Sequence, residues 1–246
     1  MGKYKENQDR GVVCFPFARR DGDAPRALFI VADGHGEYGH AVSDFVVKHL
    51  VSNLAADATI RDEATLAPAG AGGGRLRQIF LDCNAALAAK TNLDSSTSGT
   101  TCVVAIMHET FITLGNVGDS RCVLGTGVGA APPAAKVPTL YRATDLTRDH
   151  KPDAADEKAR IERLGGFVTQ PEWSASARVW LDKSQRRPRG RVVAFFGGAR
   201  CFLYSPARLP PPFAEVSFFF VRSGPRARAG ARGRASRWRG PSATSA

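Results

Sequence analysis

The chain has 246 residues, 43% apolar and 23% charged, with a formal net charge of +11. That is the balance of a soluble globular protein, and no apolar run approaches the roughly 20 residues that cross a bilayer. The polar start "MGKYKENQDR" lacks the apolar core of a secretory signal, and Glu6 stands where N-myristoylation calls for a small hydroxyl residue.

The charge is unevenly placed. From Lys183 onward the sequence holds 14 of the 34 Lys and Arg residues but only one of the 23 acids, Glu215, so the first 182 residues are nearly neutral. Contact with nucleic acid is therefore expected only through the basic tail. The five cysteines, Cys14, Cys83, Cys102, Cys122 and Cys201, form no C-x-x-C pair and lie in or beside apolar stretches. They read as reduced, buried thiols, which fits an intracellular protein of the cytoplasm or nucleus with no membrane contact.

In chain order, "GVVCFPF" (11–17) is β-rich, a turn-rich stretch follows, and "ALFIVA" (27–32) is continuously apolar. The pattern predicts a hairpin whose second strand is buried on both faces. Val42, Phe45, Val46, Leu50 and Leu54 recur at helical spacing and predict a helix over 40–55. After an Ala/Gly loop (67–74), Leu76, Ile79, Phe80, Cys83 and Leu87 mark one face of a second helix. "TTCVVAIM" (100–107), "FITLGNV" (111–117) and "RCVLG" form a meander. "GVGAAPPAAKVP" is a loop. "DAADEKARIERLGG" (153–166) is a helix with an acidic first turn and a glycine stop. "FVTQ" and "ARVWL" are two further strands. Beyond Asp182 no period of two or 3.6 is sustained, so two units are expected: a folded 1–182 and a largely disordered Arg/Gly/Pro/Ala-rich 183–246.

Acids stand at predicted strand ends and turns: Asp9 in "KENQDR", Asp33 in "VADGHG", Asp119 in "NVGDSR", and Asp149 and Asp153 in "TRDHKPD". Carboxylates at the mouths of buried strands suit hard cations such as Mg²⁺ and Mn²⁺. Gly34 permits close approach of a ligand to the backbone, and His35 is placed to deliver a proton near neutral pH. Asp149 and Asp153 are expected to cap the following helix.

Taken in order, "ENQDR", "FIVADGHGEYG", "SGTTCVVAI", "LGNVGDSRCVL", "DLTRDHKPDAADEKARIERLGGFV" and "ARVWL" resemble the PP2C (PPM) family of metal-dependent protein Ser/Thr phosphatases. The resemblance implies an α+β fold, a β-sandwich of two antiparallel sheets flanked by helices, incomplete toward the C-terminal end. It implies hydrolysis of phosphoserine and phosphothreonine in a phosphoprotein substrate, by a monomer holding two Mg²⁺ or Mn²⁺ ions. Asp33 would bridge the ions with the Gly34 carbonyl as a further ligand, and Asp9 would hold metal-bound water. Asp119 would serve an additional, weaker metal site, and His35 would protonate the leaving oxygen. No residue matches the family's phosphate-binding arginine; Tyr4, between Lys3 and Lys5, stands near its place. Asp182 is the last aspartate of the sequence, so the family's later metal-binding aspartates have no counterpart in 183–246. The alternative expectation is a catalytically silent pseudophosphatase that binds a phosphoprotein or partner.

Overall fold

A computed structural model of the chain describes residues 6–18, 25–66, 72–93, 95, 98–109, 111–127, 141–170, 177–180, 200–204 and 216–222. Its elements run β1 (Asp9–Cys14), β2 (Ala27–His35), α1 (Gly39–Ala56), α2 (Ala58–Arg61), α3 (Glu63–Leu66), α4 (Gly72–Ala88), β3 (Gly99–Thr100), β4 (Cys102–Met107), β5 (Ile112–Val117), β6 (Ser120–Gly127), β7 (Tyr141–Asp145), α5 (Ala155–Arg163), β8 (Phe167–Thr169), β9 (Arg178–Trp180), β10 (Arg200–Tyr204) and β11 (Val216–Arg222). One antiparallel sheet has the order β1-β2-β4-β5-β10 with β3 added beside β2, a second has the order β11-β6-β7, and β8 pairs with β9.

The continuous apolar run of β2 follows from its position. Leu28, Ile30 and Ala32 point to the helices, where they join Val42, Val46, Leu50 and Leu54 of α1 and Leu76, Ile79, Phe80, Cys83 and Leu87 of α4. Ala27 and Phe29 point the other way and pack with Val103, Ala105, Ile112 and Leu114 against Cys122, Leu124 and Leu146. The first sheet is therefore covered on both faces, which alternation alone explains. Both helical stripes read from the sequence are the buried ones, except that Phe45 only flanks the core. Burial pushes the Cys83 and Cys122 thiols up to about 12 and that of Cys102 higher still, so all three behave as small apolar groups.

The helix α5 ends as its glycines predict. Gly166 N–H donates to Ile161 O and Gly165 N–H to Glu162 O, with Gly165 at φ +84°, the double closure of a Schellman turn. Its start departs from expectation: the N-cap is Ala154, with no side-chain hydrogen bond, so neither Asp149 nor Asp153 caps it. Asp149 is claimed by a stronger partner, the Arg121 guanidinium, whose Nε lies 2.9 Å from its Oδ1.

Three strands were not expected. The edge strand β7 pairs Tyr141–Asp145 with Gly127–Val123, yet Arg142, Ala143 and Asp145 are exposed, so no apolar alternation marks it. Within 183–246, where disorder was expected, β10 pairs antiparallel with β5 and β11 with β6. "RCFLY" and "VSFFFVR" are rich in aromatic and β-branched residues, which suits them to extend open sheet edges. The rest of that segment, and residues 128–140, where a loop was expected, lie outside the described residues.

A buried imidazole gives a pH prediction. His108 is 1% exposed, stacks on Phe111 with ring centroids 4.1 Å apart, and neither ring nitrogen has a hydrogen-bond partner among the described residues. Burial, reinforced by the nearby Arg26 guanidinium, pushes it down to about 3. Since an unfolded histidine titrates near 6.5, the unfolded chain binds the extra proton between these values. Stability from His108 is thus complete above pH 6.5 and falls from there to about pH 3, by at most about 1.4 kcal/mol per pH unit. In urea titrations His108→Phe should flatten this acid limb relative to wild type; parallel profiles would disprove it.

Candidate metal and phosphate site

The site starts from a strand register. In the β1–β2 ladder Asp9 is the direct partner of Asp33, with Arg10 opposite Ala32. Side chains directly opposite share a face, so two carboxylates stand side by side there. Like charges so placed are destabilising unless a cation lies between them. His35, two residues beyond Asp33 on β2, projects from the same face by alternation.

Gly34 lies between them and points the other way, and here the structure supplies a reason the sequence did not. A Cβ at Gly34 would stand 2.4 Å from the carbonyl oxygen of Gly39 and 2.6 Å from that of Gln8. The close approach is by the first turn of α1, so it requires no ligand. Gln8, 9% exposed, fastens this corner: its carbonyl accepts the Gly34 N–H at 3.2 Å and the Ser43 hydroxyl at 2.7 Å, and its side-chain amide donates to Gly36 O at 2.8 Å. Asn7 Oδ1 receives the Asp9 N–H at 2.9 Å, while Arg10 Nη1 donates to the carbonyls of Asn7 and Asp9. Every residue of "NQDR" thus shapes the strand end that bears Asp9.

Asp33 is held from the opposite side by Thr101. The Asp33 N–H donates to Thr101 Oγ1 and the Thr101 N–H donates to Asp33 O, each at 3.0 Å. Thr101 Oγ1 in turn lies 2.6 Å from Ser120 Oγ, and both residues are buried. Gln8, Thr101 and Ser120 were not singled out from sequence, because their partners are far along the chain; "SGTT" read only as the entry to a core strand.

Asp119 follows a different course. It sits in the turn between β5 and β6, where Gly118 has φ +92° and a Cβ would strike Thr101 at 2.8 Å. The segment 148–151 runs alongside. Asn116 Nδ2 donates to Arg148 O at 3.1 Å, the Gly118 N–H to His150 Nδ1 at 3.3 Å, and the His150 N–H to Gly118 O at 3.0 Å. Lys151 Nζ lies 2.6 Å from Asp119 Oδ2. The structure thus brings Asp9, Asp33, Gly34 and His35 together, whereas Asp119 pairs with Lys151 and its neighbour Ser120 reaches Asp33 by way of Thr101. Among the described residues, no group of three or more His, Cys, Asp or Glu side chains is arranged to hold a metal ion.

A family model, "Protein phosphatase 2C", matches residues 2–180. The chain belongs to the protein phosphatase 2C family. "Probable protein phosphatase 2C 3" of Paramecium tetraurelia is 33% identical over 189 residues, covering 69% of this chain and 56% of its own length. "Probable protein phosphatase 2C 48" of Oryza sativa subsp. japonica is 34% identical over 180 residues, covering 68% of this chain and 48% of its own. The chain thus spans about half the length of these relatives. Its fold is shared with the crystal structure of serine-threonine phosphatase 2C from Toxoplasma gondii, at TM-score 0.60 and 23% identity over 84% of this chain and 71% of that one. A C. elegans sex determining protein also shares it, at TM-score 0.56 and 19% identity over 83% of this chain and 46% of that one. The α+β sandwich expected from the resemblance is the fold observed.

Protein phosphatase 2C enzymes are metal-dependent. The donor set described does not fit two divalent ions: Asp9, Asp33 and the Gly34 carbonyl supply too few anionic oxygens for a pair of hard cations, and the Asp119 carboxylate is already paired with Lys151.

Proposed function

We propose that residues 1–182 carry part of a phosphatase site for phosphoserine and phosphothreonine in proteins. The observation that carries this reading is the register that sets Asp9 opposite Asp33, with His35 on the same face of β2, inside the region matched by the family model. Asp33 would be the main anionic group to hold a Mg²⁺ or Mn²⁺ ion, with the Gly34 carbonyl and Asp9 as its neighbours, and such an ion would supply charge neutralisation for the phosphoryl group. No step is assigned through a metal pair.

The chain's own part in the chemistry lies with His35. Cleavage of a phosphoester leaves a serine or threonine oxygen that is a poor leaving group as an alkoxide. When protonated, the His35 imidazole would deliver a proton to that oxygen as water takes up the phosphoryl group and the P–O bond breaks, a contribution of typically 10²–10⁴-fold. The two hydrogen bonds with Thr101 and the clamp of Gln8 fix the backbone on which Asp33 and His35 ride.

A second reading, a silent phosphoprotein-binding module, is favoured by the sparse donor set among the described residues. Initial rates on a phosphothreonine peptide, titrated with Mn²⁺, separate the two. On the first reading, hydrolysis is metal-dependent and falls at least about 100-fold in Asp33→Asn. Equal rates for folded wild type and variant, together with retained peptide binding, would establish the second.

A further inference from the structure

We propose that Lys151 is the built-in counter-ion of Asp119, so that the turn between β5 and β6 is held by the chain's own half-exposed ammonium group rather than by a divalent cation. The inference deepens, and rests on, the reading of this face as a divalent-ion phosphatase site; it concerns which of its carboxylates are open to a cation.

Four successive links carry the idea. Asn116 to Arg148, Gly118 to His150 through both backbone and ring, Asp119 to Lys151, and Arg121 to Asp149 bind the segment 116–121 to 148–151. The bonds at Gly118 and His150 fix the two chains immediately before Asp119 and Lys151. The lysine therefore meets its carboxylate from an already ordered backbone, in a pair that is half-exposed and partly screened by water. The Nζ–Oδ2 separation of 2.6 Å is that of a charge-assisted hydrogen bond. A divalent ion approaching Asp119 would have to displace this ammonium or accept its repulsion at close range.

The same turn also bears on Asp33. Ser120, next to Asp119, meets Thr101, and Thr101 holds both backbone groups of Asp33. In this arrangement the ammonium keeps the turn in register with no bound ion, and the support of Asp33 does not depend on occupancy at Asp119.

The test is Mn²⁺ binding to the full chain, followed by the electron paramagnetic resonance of free Mn²⁺, for wild type, Asp119→Asn, Lys151→Met, the double variant and Asp33→Asn. Asp119→Asn is expected to bind as wild type does. Lys151→Met should bind one ion more, or bind three- to tenfold more tightly, as about 1 kcal/mol of local repulsion is removed. That gain should vanish in the double variant. Should Lys151→Met not fold, Lys151→Gln makes the same measurement. Weaker binding by Asp119→Asn alone, or no gain on removing the ammonium, overturns the proposal. Asp33→Asn reports separately: if it binds as wild type does, the reading of Asp33 fails, while the Lys151→Met result still decides this one.

Discussion

Gly34→Ala should lower the thermal midpoint by roughly 10 °C, about 3 kcal/mol, and remove any metal-dependent phosphatase activity with it. The methyl group would sit 2.4 Å from the Gly39 carbonyl oxygen and 2.6 Å from the Gln8 carbonyl oxygen. Both obstacles are backbone atoms, so no rotamer change relieves the contact. Either α1 withdraws from β2, or the strand end carrying Asp33 and His35 moves away from α1. The first opens the core at Val42 and Val46; the second displaces the reactive face, where a shift of 1 Å can cost 10²-fold in rate. Gly74→Ala is the control. A Cβ there meets nothing within 4 Å, and in the first turn of α4 alanine should stabilise by up to about 1 kcal/mol. Differential scanning calorimetry on both variants is sufficient. A wild-type midpoint for Gly34→Ala would mean that the contact between β2 and α1 is not what makes this glycine necessary.

The second large effect lies in the core. Phe80 of α4 is 1% exposed and rests on Gly115 of β5, whose hypothetical Cβ would come 2.6 Å from the Phe80 Cε2. Truncation by Phe80→Ala should cost about 3–5 kcal/mol in urea unfolding, the sum of lost transfer energy and a residual cavity. Gly115→Ala alone should also destabilise, because the ring must move. In the Phe80→Ala background the new methyl enters vacated space, so its cost should shrink or change sign, leaving a coupling of about 0.5–3 kcal/mol. Strictly additive values would show that the ring and the glycine do not touch in solution.

What could be read from the sequence was what repeats locally. The stripe of Val42, Val46, Leu50 and Leu54 and that of Leu76, Ile79, Phe80, Cys83 and Leu87 predict both long helices, since helix faces are set by spacing alone. The twofold burial of "ALFIVA" was likewise visible in its lack of polar interruptions, and Gly165 in its place after a basic last turn. The family was legible through "DGHG" and "GDSR" only because several such fragments stood in the family's order.

The partners of those fragments were not legible. Thr101 lies 68 positions from Asp33 and Lys151 lies 32 from Asp119, and no local rule connects residues so far apart. Asp149 shows the converse error. Its place just before a helix favours capping, but Arg121, 28 positions away, offers a charged partner. The strand β7 was missed for a third reason: an exposed edge strand buries almost nothing, so selection leaves no alternating pattern to find.

The paired hydrogen bonds between Thr101 and Asp33 have a consequence for motion. The end of a strand normally frays, and its amides exchange with solvent through small local openings. Here the amides of Asp33, Gly34 and Thr101 are all engaged, by Thr101 Oγ1, Gln8 O and Asp33 O respectively. Releasing any of them requires β2 to part from β1 or from the segment before β4, and that means opening the buried cluster beneath. Their exchange should therefore be nearly as slow as that of Leu28 or Ile30 in mid-strand. The floor of the site is rigid before anything binds, so a ligand arriving there has little backbone entropy left to remove.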